Sequence, residues 1–236
     1  MSDLVSCSID DKGVATITLD DGKANALSPA MLAAIQTALD GAEKAGATVI
    51  LAGRSGRFSG GFDLSVLGAG GHGALQLLRS GFELAQRVLS FPTGVVVACT
   101  GHAIAMGSFL LCSGDHRIGI ASGGHRICAN EVALGMTMPH AAIEICKLRL
   151  TPSALQQAVV LATPYVHDQA VAAGFLDEVV PAEQLFSAAH AAALRIKGLS
   201  PTALSATKLR LREAALTALA AAIDRDQREL RTTFGL

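Results

Sequence analysis

The chain has 236 residues, half of them apolar, 17% charged and 4% aromatic, with a formal net charge of −1. That length holds one large domain or two small ones, and that apolar fraction builds a sizeable core rather than a disordered chain. The balanced charge leaves no electrostatic footprint for nucleic acid. Five dispersed cysteines without a C-x-x-C speak against a disulfide framework or zinc ribbon and suit a reducing cytoplasm.

The start, MSDLVSCSIDD, is acidic and lacks an apolar core, so no signal peptide is expected. Val14-Ala15-Thr16-Ile17-Thr18-Leu19 alternates as a half-buried strand does. Ser28-Pro29 supplies an N-cap and a first-turn proline, Leu32, Ile35, Leu39 and Ala42 form a helical stripe, and Gly46 closes it. Residues 48–52, TVILA, are a continuous apolar run of strand length. A glycine-rich stretch follows, then a helix over 74–89 with Leu75, Leu78, Phe82 and Ala85 on one face, broken by Pro92. The longest apolar run, 95–111, approaches the length of a membrane span. Its β-branched opening and the interruptions at Thr100, Gly101, His102, Gly107 and Ser108 read instead as a buried strand, a turn and a helix start, and no membrane partner is expected. A third buried strand covers 116–120. Buried strands alternating with helices imply an α/β fold with a largely parallel sheet. Beyond residue 139 helical patterns dominate, over 141–148, 153–161, 168–173 and 182–197 and in a final pair from 201 to 230, with one short strand at 176–180. No sequence repeat is evident.

Residues 57–73, RFSGGFDLSVLGAGGHG, pose the functional question. Gly68 to Gly73 fits G-x-G-x-x-G, but that fingerprint needs a strand immediately before it and a helix opening within it. Here the strand ends near Ala52, about fifteen residues too early, and no acidic residue ends the next strand to hold a ribose. Gly68–Gly73 is therefore expected to be a mobile loop. Glycine turns follow buried strands twice, at Ser59-Gly60-Gly61-Phe62-Asp63 and at 101–107, GHAIAMG. Two such loops at corresponding ends of neighbouring parallel strands can converge and offer one backbone N–H each to a carbonyl, or can be ordinary strand–helix turns. Glu131, set among apolar residues in ANEVALGMTMP, is either a solvated turn residue or a buried acid with a raised pKa.

Taken together, these residues resemble the crotonase family of enoyl-CoA hydratases and isomerases over nearly the whole chain. Lys23-Ala24-Asn25-Ala26-Leu27 resembles the segment along which coenzyme A lies, Arg57-Phe58-Ser59-Gly60-Gly61-Phe62-Asp63-Leu64 the first oxyanion loop, and GHAIAMGSFLLCSGD (101–115) the second. The resemblance implies a ββα superhelix with a helical C-terminal region: a core over 1–195 with the acyl-CoA site, and a segment over 196–236 serving oligomerisation. It implies that the amides of Phe62 and Met106 hold a thioester oxygen, although the family often has glycine at the latter position. It implies coenzyme A contacts at Lys23, Ala24, Ala26, Gly60, Gly61, Leu64 and Gly107. One glutamate of the hydratases matches Glu131, while the position of their other glutamate is Phe109, which cannot activate water. Asn130-Glu131 followed by Leu134-Gly135 and Pro139 looks like the Δ3,Δ2-enoyl-CoA isomerase subgroup, which works with a single glutamate.

The implied activity is a double-bond shift on an acyl-CoA of fatty-acid metabolism, with Glu131 as acid/base. The alternatives are an enoyl-CoA hydratase or another crotonase reaction, and a non-catalytic acyl-CoA binder. Coenzyme A enters as part of the substrate; no permanently bound cofactor and no metal site are expected, and the family implies a homotrimer or a hexamer in the cytoplasm. In such a chain the 74–89 helix walls the acyl pocket. Lys208 and Arg210 are candidates to reach the nucleotide phosphates of a neighbouring subunit's ligand. Asp63 reads as a helix cap, His102 and His140 as hydrogen-bonded packing residues, His72 and His125 as loop histidines, Asp115 as an acceptor for turn amides and Glu144 as a surface residue. Ser108 and Ser113 lack the partners of a nucleophilic serine.

Overall fold

The computed structural model describes residues 4–233 and 236; the first three residues of the acidic start lie outside that range. β1 (Val5–Ile9) and β2 (Val14–Leu19) form an antiparallel hairpin. Its turn is held by the Asp10 carboxylate, which accepts from the amides of Lys12 and Val14. Then come β3 (Ala26–Leu27), α1 (Pro29–Lys44), β4 (Thr48–Gly53), β5 (Gly56–Ser59), β6 (Gly61–Phe62), α2 (Leu64–Ala69) and α3 (Gly71–Ser90). They are followed by β7 (Val95–Cys99), β8 (Gly101–Ile104), α4 (Met106–Cys112), β9 (His116–Ile120) and β10 (Ile127–Cys128). The rest is α5 (His140–Arg149), α6 (Pro152–Val159), α7 (His167–Ala173), β11 (Glu178–Val180), α8 (Leu185–Lys197) and α9 (Pro201–Thr233).

The six-stranded sheet has the order β1-β2-β4-β7-β9-β11 and is parallel except for β1. A second, all-parallel sheet has the order β10-β8-β5. The chain thus visits a strand of the large sheet, a strand of the small sheet and a helix, in β4-β5-α2/α3, then β7-β8-α4, then β9-β10-α5. This is the expected ββα superhelix. Period-two burial places Val49, Leu51, Val95 and Val97 in the main core. Ile50, Ala52, Val96 and Ala98 face the opposite way, onto Leu185, Ala189, Ala192 and Ala193 of α8.

Two expectations need correction. Gly68–Gly73 is not a loop: α2 runs through Gly68, and α3 begins at Gly71 rather than at 74. The glycines serve a sharp helix–helix junction, where Gly70 and Gly71 both take φ +65°, a region closed to most side chains. His72 accordingly lies in the first turn of α3, not in a loop. The final pair of helices is a single helix, α9, because no glycine or proline interrupts it and one stripe stays buried along its middle, at Lys208, Arg212, Leu219, Ala222, Ile223 and Asp226.

α9 is fastened by a buried ion cluster. Asp115 accepts from the Val95 amide at 2.8 Å and pairs with Lys208 (2.6 Å) and Arg212 (2.9 Å). Lys208 Nζ also donates to the carbonyls of Phe91 and Thr93, and Arg212 to that of Leu89. All three protons of Lys208 are thus spent inside the chain, which removes it as a ligand for a neighbour's phosphates; Arg210 stays exposed. Asp115→Ala, which strands two buried cations, is expected to cost about 3–5 kcal/mol in chemical denaturation.

Candidate active site

The first loop is built around Asn25, which is fully buried at φ 52°. Its side-chain amide donates to the carbonyls of Leu19, Arg57 and Phe58. Its carbonyl accepts from Ser59 Oγ at 2.8 Å, and Asp21 collects the amides of Lys23, Asn25 and Ala26. Gly60 N then donates to the Ala24 carbonyl at 2.8 Å, and β3 pairs with β6, Ala26 opposite Gly61 and Leu27 opposite Phe62. The 23–27 segment and the Gly60-Gly61-Phe62 loop are therefore one backbone unit. The side chains of Lys23 and Leu64 are exposed at its rim, while Arg54 holds the Lys23 carbonyl from outside. Asp63 caps α2 by accepting from the Ser65 amide, as its position suggested. The bracing roles of Asn25, Asp21 and Ser59 were missed by sequence reasoning. The signal was present in an Asx-rich DDGKAN run, whose side chains are suited to bonding local amides.

The second loop meets the first. Gly61 stands at φ +92°, and a Cβ placed on it would lie 2.9 Å from the Ile104 carbonyl and 3.4 Å from Met106 N. A Cβ on Gly107 would strike the Ser59 carbonyl. Met106 is fully buried and opens α4, so its amide has no intrahelical acceptor. Among the described residues neither Met106 N nor Gly107 N finds another. The residue before it, Ala105, takes φ 50°, a strained value for a side chain, and is held there by donating its amide to the Cys128 carbonyl at 2.8 Å. Met106 thus buries its side chain while leaving its backbone amide without an acceptor.

The same hydrogen bond ties the second loop to β10, and three residues beyond Cys128 comes Glu131. It is 6% exposed, and its Oε2 is buried without a hydrogen-bond partner; Asn130 Oδ1 is in the same condition. Burial pushes the Glu131 carboxyl up to about 7 from its usual 4.5, with its own backbone amide opposing slightly and no other charged group contributing. This resolves the choice left open by the sequence in favour of a buried acid.

An aromatic row walls this region. The Phe62 ring lies against Gly81 of α3, where a Cβ would collide with it, and meets Phe82 edge-on at 6.0 Å. Phe82 stacks on Phe109 at 6.3 Å, and Phe109 is buried in α4. Gly81 carried no warning in the sequence of its role as a seat for Phe62.

The remaining candidates are structural. His102 Nδ1 accepts from the Arg126 amide, and the His140 ring meets Glu229 at 3.2 Å. Glu144 pairs with Lys147, and Ser108 and Ser113 donate their hydroxyls to the carbonyls of Ala105 and Phe109. Among the described residues no group of three or more His, Cys, Asp or Glu side chains is placed to hold a metal ion, and no helix is long and apolar enough to cross a membrane.

A family model described as enoyl-CoA hydratase/isomerase matches residues 10–235. Among solved structures, an enoyl-CoA isomerase of Mycobacterium tuberculosis is 51% identical, with 97% of this chain and all of that one covered and a TM-score of 0.93. An enoyl-CoA hydratase of Mycobacterium ulcerans is 50% identical over 96% of this chain and 99% of that one, with a TM-score of 0.92. The human mitochondrial Δ3-Δ2-enoyl-CoA isomerase is 26% identical over 98% of this chain and 92% of that one, with a TM-score of 0.91. Curated protein sequences give no match.

The raised Glu131 pKa carries a stability consequence. Below about pH 4.5 the carboxyl is neutral folded and unfolded; between about 4.5 and 7 the folded chain holds the extra proton, so stability falls as pH rises through that window. Glu131→Gln is expected to be the more stable protein above pH 7, by about 3 kcal/mol, with the gap closing by pH 4.5. Urea denaturation at a series of pH values measures it.

Proposed function

This chain belongs to the enoyl-CoA hydratase/isomerase family, and from that premise we propose that it is an enoyl-CoA isomerase that moves a double bond from C3 to C2 of an acyl-CoA, with Glu131 as its only acid/base. The observation that carries the reading is a carboxyl 6% exposed whose Oε2 is buried without a hydrogen-bond partner, which burial pushes up to about 7. Phe109, buried and stacked on Phe82, stands where the hydratases resembled above would have their other glutamate. Glu131 as carboxylate takes a proton from C2; the C2–H electrons move into the thioester and place negative charge on its oxygen. The amides of Phe62 and Met106 receive that charge, and a preorganised donor of this kind is worth about 3 kcal/mol of barrier. The same carboxyl, now protonated, returns the proton at C4 as the enolate re-forms its carbonyl. A group titrating near neutrality is suited to both halves, since neither its base nor its acid form is scarce. The coenzyme A moiety is expected along Lys23, Ala24 and Ala26, beside Gly60, Gly61 and Leu64, with Gly107 behind the second amide.

The second reading is an enoyl-CoA hydratase, favoured by the name of the Mycobacterium ulcerans relative. It requires a group to activate water, and Phe109 supplies none. Assembly as a trimer or as two trimers belongs to the same proposal. It is supported by α9, which presents Leu209 and Leu211 to solvent, the latter 80% exposed; sedimentation of the full chain reads it.

Glu131→Gln is expected to lower kcat on a 3-enoyl-CoA by about 10²–10⁴-fold with little change in KM. In the wild type kcat/KM should rise with pH toward a midpoint near 7 in the direction of the ionised base. Assays on 3-enoyl-CoA and 2-enoyl-CoA in parallel decide between the readings. Hydration of the 2-enoyl substrate by the wild type, without isomerisation of the other, would overturn the isomerase. Full turnover of both by the glutamine variant would remove Glu131 from the mechanism.

A further inference from the structure

The loop that carries Glu131 is held mainly at its ends. Residues 132–137 are exposed and bond largely to one another: the Leu134 amide to the Asn130 and Glu131 carbonyls, Gly135 to Val132, Met136 to Glu131. The upstream end is fixed by β10, through the bond from the Ala105 amide to the Cys128 carbonyl. The downstream end is the start of α5, and its cap residue Pro139 contributes no side-chain acceptor. The acceptor comes from elsewhere in the chain. Asp226, on the last third of α9 and 7% exposed, takes the amide of His140 on Oδ1 at 2.8 Å and that of Ala141 on Oδ2 at 2.9 Å.

We propose that Asp226 is a positioning residue, whose carboxylate sets the downstream anchor of the catalytic loop and thereby the place of Glu131. Three neighbouring contacts make the device a clamp rather than an isolated cap. Gln227 Nε2 donates to the Leu75 carbonyl of α3 at 2.9 Å, Asp224 pairs with Arg79 of α3 at 3.1 Å, and Glu229 meets the His140 ring. One stretch of α9, residues 224–229, therefore spans α3, which seats the Phe62 ring, and α5, which ends the Glu131 loop. An ordinary packing contact would need only the apolar stripe of α9. A buried carboxylate with no cationic side chain bonded to it is costly, and two charge-assisted bonds to helix-start amides offset that cost only while α5 is held in register.

The inference rests on Glu131 as acid/base, and its test separates the two. Asp226→Ala is compared with Ile223→Ala, a buried position one turn earlier on the same helix that removes packing but no acceptor. Both are measured well below their melting temperatures, by steady-state kinetics on 3-enoyl-CoA and by amide hydrogen exchange of the substrate-free protein. Asp226→Ala should lower kcat by about tenfold to a hundredfold, with KM within about twofold, since small misplacement of a catalytic group has effects of that size. It should also speed exchange selectively across residues 130–141, while Ile223→Ala does neither. Equal kcat and equal local exchange in the two variants would overturn the proposal. Should the alanine variant not fold, Asp226→Asn, which keeps one acceptor oxygen, is read in the same two ways. Exchange is measured without substrate, so a failed Glu131 assignment, seen as full activity in Glu131→Gln, is distinguishable from a failed clamp.

Discussion

Asp115 is the carboxylate on which the arrangement turns. It sits where α4 gives way to β9, accepts the first amide of β7, and neutralises two cations that project from α9. Those cations reach the last carbonyls of α3, at Leu89 and Phe91, which the helix itself leaves unpaired. One buried cluster thus satisfies a helix end, a strand start and the root of a helix about 50 Å long. Desolvation is the opposing effect: it holds the Lys208 ammonium below its usual range despite the adjacent carboxylate. Such a cluster contributes little net stability over an apolar one, but it is intolerant of any other registration, since a shift of one turn would leave several buried charges unpaired. That intolerance fixes the direction in which α9 leaves its root and lets residues 224–229 arrive at α3 and α5.

The site concentrates strain and desolvation in a small volume. Ala105 at φ 50°, Asn25 at φ 52° and Gly61 at φ 92° all lie in the two loops or in the strand beside them. Each is bound on several sides by side-chain or backbone hydrogen bonds that leave the conformation no alternative. The result is that the second helix start approaches the first loop closely enough for Ser59 to occupy the space a side chain at Gly107 would need. A buried glutamate whose Oε2 has no partner adds to the cost. The side chains of Lys23 and Leu64 stay exposed at the rim of the loop pair.

Much of the fold was legible because its main strands are buried on both faces and read as apolar runs, as at 48–52 and 95–99. α1 was legible from Ser28, Pro29 and its stripe. The ββα repeat was legible only through the family resemblance, because the strands of the small sheet are two to four residues long, β10 being only Ile127–Cys128, too short for any period to register. Gly68–Gly73 misled because glycine density suggests a loop, whereas two of these glycines bend one helix into the next. α9 misled because Lys208, Arg212 and Asp226 are polar residues on a buried stripe, and only the tertiary partners reveal that. The glycine loops and Glu131 could be picked out; the Asx-rich run hinted at the Asn25 brace, whose partners Arg57 and Phe58 lie 32 and 33 residues away, while the Gly81 seat for Phe62 had no local signature.

The raised pKa of Glu131 follows from its burial. In a site with two carboxylates, each raises the other's pKa by repulsion and their protons are released as a coupled pair. Here no like charge acts, and the rise comes from loss of solvation alone. The loss is visible at Oε2, which is buried with no hydrogen-bond partner. Adding a second acid would therefore change two things together: it would bring polarity that admits water, and it would split the titration so that one group is always a poor base. Under the proposed isomerisation, a single buried acid would hold one proton near neutrality and pass it between two carbons of the substrate.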